Sequence, residues 1–118
     1  MAKRKIDVGD GRAAVAAVRG GAANRAATAT AVRYLLQLLE ERAPGKTVEV
    51  RVPPFGAVQV VQGPEHTRGT PPNVIEMDAD TWVRLATGQT SWEAEREDGR
   101  IAASGTRADV AHLVPVLW

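Results

Sequence analysis

The stretch "TVEVRVPPFGAVQVVQG", Thr47 to Gly63, constrains this chain more than any other. Val48, Val50 and Val52 alternate with Glu49 and Arg51, the two-residue period of a half-buried strand. Pro53 to Gly56 breaks the run, and Ala57 to Gln62 resumes it with Val58 and Val60 on one face. Two strands joined by a tight connection are expected, and they should pair antiparallel. Such a hairpin has one apolar face, so something must cover it. The cover precedes it in the chain. From Ala26 to Arg42, Ala31, Val32, Leu35, Leu36, Leu38 and Leu39 recur at helical spacing, and Pro44–Gly45 should stop that helix.

The remaining segments are shorter. "NVIEMD" reads as a third strand, and "DADTWVRLATGQ" as a helix capped by Asp78 or Asp80 and ended by Gly88. In "TSWEAEREDG", Thr90 and Glu93 fit a capping box. "RIAASG" is strand-like. "TRADVAHLVPVLW" places Val110, Leu113, Val114 and Leu117 at helical spacing behind a Thr106/Asp109 capping pair, with Pro115 ending or kinking the helix. Residues 1–27 form a basic, Ala/Gly-rich arm, partly helical or mobile, in which "DGRAAVAAVRGG" can make a helix from Asp10 to Gly20. The order predicts one α+β domain over residues 28–118, a mainly antiparallel sheet with helices packed on one face.

Composition narrows the function. The 118 residues carry a formal net charge of +1, so no strong field points to nucleic acid. Aromatic residues number five, and none sits in a basic stacking groove of the kind single-stranded nucleic acids need. Without cysteine, thiolate and disulfide chemistry are excluded. No apolar run approaches the ~20 residues of a membrane span. "MAKRKID" has no apolar region behind its charges, so a cytoplasmic location is expected.

Catalytic and metal patterns are missing. His66 and His112 are the two histidines, without metal spacing. Ser91 and Ser104 lie in no nucleophile elbow. Gly45–Lys46–Thr47 lacks the upstream glycine of a phosphate loop and lies between helix and strand, the wrong order. One polar cluster is left. In "GPEHTRGTPPN", Gly63 to Asn73, the glycines and prolines shape a connection, while His66, Thr67, Arg68 and Asn73 supply titratable and forked donor chemistry. They read either as a preset polar rim or as an ordered strand connection with Arg68 paired to a carboxylate such as Glu76.

Taken together, "RVPPFGAVQ", "GPEHTRGTPPN", "TWVRLATG" and "DGRIAASGTRADVAHLVPVL" resemble the bacterial branch of the sterol carrier protein family. The family pattern is carried by Trp82, Leu85 and Gly88, then Gly99, Ile101 and Gly105. The resemblance covers about residues 28–118. It implies a sterol-carrier-like α+β fold, with a curved sheet of four to five strands and an apolar tunnel between sheet and helices that takes lipids, acyl groups or similar ligands. Such domains are not enzymes by themselves, and the resemblance implies no cofactor. Leu35, Leu39, Phe55, Trp82, Leu85, Leu113 and Leu117 are candidates for the tunnel lining, and each also suits a plain core. His66, Thr67, Arg68 and Asn73 are candidates for a polar rim.

Two function classes follow. One is a small non-enzymatic carrier of an apolar or amphipathic ligand, without stable membrane insertion. The other is a protein-interaction module that regulates or completes an enzyme, with a homodimer or protein partner and no ligand of its own.

Overall fold

The computed structural model describes residues 5–63 and 72–118. In chain order the elements are α1 (Val8–Arg19), α2 (Arg25–Arg42), β1 (Pro44–Val52), β2 (Gly56–Val60), β3 (Asn73–Glu76), α3 (Ala79–Ala86), α4 (Trp92–Glu97) and β4 (Ala102–Ser104). A single 3-10 turn, Ala111–Leu113, follows. The fold is α+β, as expected, with a four-stranded sheet in the order β2-β1-β3-β4.

Alternation in the strands sets the two faces of the sheet. Val48, Val50 and Val52 of β1, Val58 and Val60 of β2, and Ile75 of β3 are all buried. Val50 stands beside Val58 on one side and Ile75 on the other, so the apolar rows are in register. α2 lies over this face, and α1 and α3 pack on α2. Leu35, Leu39, Trp82 and Val32 fill the interior between the layers, each 0% exposed. The opposite face carries Glu49, Arg51 and Gln59, where Glu49 accepts from both Arg51 and Gln59.

Three expectations need correction. β1 and β2 are antiparallel, as are β3 and β4, but β1 and β3 run parallel. Between β2 and β3 the chain passes from one side of β1 to the other, which reverses the sense of the next strand relative to a meander. Second, Pro44–Gly45 does not separate helix from strand, because β1 begins at Pro44. Gly45 lies so close to Val61 and Gln62 that a Cβ there would overlap the Val61 backbone. Val61 itself has φ 69°, a rare conformation for a β-branched residue. Two backbone bonds hold it, one to the Ala43 carbonyl at 2.8 Å and one from the Thr47 N–H at 3.1 Å.

Third, the last segment is not a helix. Pro115 has no N–H to donate and disfavours helical backbone at Val114. The chain makes one 3-10 turn and then docks in extended form. Val116 N–H donates to the Ala86 carbonyl at 2.9 Å, and Arg42 donates to the Pro115 carbonyl at 3.2 Å. Val116 becomes a core residue, and Leu117 is left 94% exposed.

Caps were displaced by a residue or more. The α1 N-cap is Asp7, whose carboxylate accepts from Asp10 N–H, and the α2 N-cap is Asn24. In α4 the cap is Ser91, accepting from Ala94 N–H, while Thr90 donates to Glu95. α1 docks through a missing side chain: Gly11 is buried against the Tyr34 ring, and Ala14 and Val15 are buried beside it.

Candidate functional site

Two neighbouring grooves flank the segment that leads into α1. The larger holds about 910 Å³ and lies between α2, the β1–β2 turn with the start of β2, and the strap Lys5–Ile6. Leu36, Phe55, Val58 and Ile6 supply its apolar lining, with Arg33, Glu40 and Glu41 along α2. A smaller groove of about 660 Å³ runs between α1, the strap and the start of α2. Lys5, Ile6 and Thr30 line both, so the strap stands between them.

The chain builds the larger groove from three local devices. Gln37 fixes the strap: its side-chain nitrogen donates to the Ile6 carbonyl at 3.1 Å, and its oxygen accepts the Ile6 N–H at 2.9 Å. A Lys5–Glu41 ion pair at 3.4 Å adds an exposed contact, which contributes little in water. Arg33 fixes the turn, donating from Nε to the Phe55 carbonyl at 2.7 Å. The Phe55 ring in turn lies under the Arg25 guanidinium, 5.2 Å from its centroid, a cation–π contact. At Gly56 the strand passes beside Leu36 and the Arg33 stem, the closest atoms a side chain there would meet. Beside the smaller groove, the Asp10 amide holds the Asp7 carboxyl below the usual carboxylate range, and the bond to Asp7 pushes the Asp10 carboxyl up.

The structure distributes the expected site residues among several places. Phe55 lines the larger groove. Leu35, Leu39, Trp82 and Leu85 are buried in the core at 1% exposure or less, and Leu113 is buried beside them. None of these five lines either groove, and neither does the exposed Leu117. Trp82 is anchored there by its indole N–H, which donates to the Val32 carbonyl at 3.3 Å. Asn73 is buried, and its amide joins Thr47 to Arg107. His66, Thr67 and Arg68 lie outside the described residues.

Residues that shape the groove but drew no role from the sequence are Ile6, Arg33, Leu36, Gln37 and Val58. Leu36 and Val58 belong to the apolar periods of α2 and β2, and periodicity does not say which apolar residue ends at an edge. Gln37 breaks the apolar stripe of α2, a signal visible only once a backbone partner is known. Among the described residues, no group of three His, Asp or Glu side chains converges as a metal site.

A four-stranded sheet covered on one face by helices, with grooves at its edge and polar groups around an apolar floor, defines a small sterol-carrier-like α+β module. The chain belongs to the bacterial SCP ortholog family, whose model matches residues 24–116. The match begins at the α2 cap, so the strap and α1 precede the matched segment. No curated protein shows a significant match to the chain. Among the described residues no helix is long and apolar enough to cross a membrane.

Proposed function

We propose that the chain binds and carries an apolar or amphipathic small molecule, without catalysis of its own, and that the α2–β2 groove is where the molecule sits. The observation that carries this reading is the groove itself. Its volume of about 910 Å³ falls within the range of small-molecule sites, roughly 300–1,000 Å³. Leu36, Phe55, Val58 and Ile6 offer an apolar floor, and charged groups of both signs stand only along its walls. Apolar burial supplies most of the affinity at such a site, and a few polar groups at the mouth orient the head of the ligand. Family membership supports the same reading at a coarser level.

Displacement of a dansyl-labelled fatty acid tests it. The chain should bind the probe saturably, and Phe55→Ser should weaken binding about tenfold, a fair share of what burying a large apolar side chain contributes. Leu85→Met, a volume-conserving change in the core, should leave the affinity alone. Absence of saturable binding, or equal loss in both variants, would end the reading. Native mass spectrometry of freshly purified protein adds an independent check, since a carried molecule should appear as a retained mass.

A further inference from the structure

We propose that a second copy of this chain docks along the edge of β2, strand to strand about a two-fold axis, and closes the α2–β2 groove of each copy. The groove's role as a ligand site rests on the reading above, but the association needs no ligand.

The first observation is the edge. β2 lies at one end of the sheet order, and its one strand neighbour among the described residues is β1. Soluble proteins commonly blunt an edge with charge, proline, a bulge or extreme shortness. The opposite edge, β4, is blunted by its three-residue length. β2 is five residues long, "GAVQV", with no charge and no proline. Strand addition to such an edge is a recurring mode of association.

The second observation fixes the occupant. α2 and β2 run side by side in the same sense. Arg33 is bonded to the Phe55 carbonyl just before β2, and the Ala43 carbonyl, just beyond α2, accepts the Val61 N–H just after it. The middle of β2, at Val58, therefore lies abreast of the middle of the α2 stretch between Arg33 and Glu40. Those two residues line the groove and carry opposite charges. Among the described residues neither makes an ion pair within its own chain. Seven residues of helix separate them, about 10 Å along the axis. An antiparallel β2–β2 pairing centred near Val58 also sets the two α2 helices antiparallel. Arg33 of each copy then faces Glu40 of the other. The stripe is complementary to itself, the requirement for a two-fold interface. No other partner is implied by charge that reverses sign about the centre of the strand.

The third observation is the open side of the groove. The strap and α2 bound it within one chain, and its remaining wall is the β2 edge with Gly56, Ala57 and Val58. Bound small molecules in well-formed sites lose roughly 70–90% of their surface to the protein. A second α2 and β2 across the axis supplies the missing wall.

Sedimentation velocity on the full, ligand-free chain over a concentration series tests the proposal. The 12.6 kDa chain should shift to twice that mass as concentration rises. Ala57→Lys adds charge at the exposed edge, and Arg33→Glu reverses one end of the stripe; each should raise the midpoint concentration by about tenfold or more. The double variant Arg33→Glu/Glu40→Arg restores the complement and should return the midpoint toward that of the unmodified chain, which a merely structural role of Arg33 would not produce. Far-ultraviolet circular dichroism confirms that each variant is folded. A chain that sediments as a monomer at every concentration, or a dimer indifferent to all three variants, overturns the proposal; the first result leaves the β2 edge to a different protein. The dansyl displacement assay separates the two readings. Dimer without probe binding removes the ligand and keeps the interface, while probe binding by a strict monomer does the reverse.

Discussion

The Asn73 side-chain nitrogen donates to the Thr47 carbonyl at 2.9 Å, and its oxygen accepts the Arg107 N–H at 2.9 Å. One buried amide thus joins the start of β3 to β1 and to the segment after β4. Asn73→Ala leaves the Thr47 carbonyl and the Arg107 N–H without that partner, each a loss of about 1–3 kcal/mol when buried. The expected total is about 2–4 kcal/mol, since the Arg107 side is partly exposed and water can replace some of it. Asn73→Asp should fare little better, because its carboxylate opposes the Thr47 carbonyl. Urea unfolding of both variants measures the difference, and a midpoint within error of the unmodified chain would contradict the crosslink.

Gly11 and Tyr34 set how close α1 approaches α2. A Cβ at Gly11 would overlap the Tyr34 ring, and the glycine is buried against it. Gly11→Val should cost about 1–3 kcal/mol through overpacking. The family match begins at residue 24, beyond α1, so the loss should concentrate at the α1–α2 contact. Limited proteolysis gives the readout: cleavage in the Gly20–Ala23 connection should accelerate well before the sheet amides lose protection from hydrogen exchange.

Arg84 and Glu95 form an asymmetric pair. The Glu95 side chain is 4% exposed, that of Arg84 29%, and they meet at 2.8 Å. Burial works against the Arg84 charge, but hydrogen bonds to Asp80 and Glu95 outweigh it and hold the guanidinium pKa above its usual value. Removing Arg84 leaves a buried carboxylate with Thr90 as its remaining side-chain partner. Removing Glu95 leaves a cation that still has Asp80 and water. Arg84→Ala should therefore cost more, about 3–5 kcal/mol, with Glu95→Ala nearer 1–2 kcal/mol because Arg84 is solvated. Thermal melts of the two variants check the order, and equal losses would refute it.

Legibility in the sequence followed how local each signal was. The period-two run from Val48 to Val60 and the helical stripe of α2 were plain, because the same alternation that forms each element also buries it. The parallel β1–β3 pairing was hidden, since strand order depends on the path of a connection rather than on either strand. Val110, Leu113, Val114 and Leu117 kept helical spacing, yet three of the four contacts it promised were given up when Pro115 turned the chain into an extended strap against Ala86. At the groove, Phe55 stood out between two prolines and a glycine. Leu36 and Val58 looked like any core residue, because a sequence shows the period of an element but not which end of its stripe overhangs a sheet edge. Asn73 was legible as a polar residue with work to do, and its partners, 26 and 34 residues away, were not.

Asp78 gives the fold a defined response to acid. It caps α3, accepting the Thr81 N–H at 2.8 Å, and that bond holds its carboxyl below the ordinary value of 3.8. The native state therefore binds fewer protons than the unfolded chain while Asp78 titrates. Its contribution is fully present above the unfolded carboxyl's range and is lost as pH falls through the lower native value. Asp78→Ala should cost about 1 kcal/mol at neutral pH, the usual cost of losing an N-cap. Asp78→Ser keeps a capping oxygen but no titrating group. It should retain most of the neutral-pH stability and lose less than the unmodified chain between pH 5 and 3, a window of about two units around the carboxyl range. Urea midpoints measured across that interval decide the matter. Parallel acid limbs for Asp78→Ser and the unmodified chain would show that the cap acts by geometry alone.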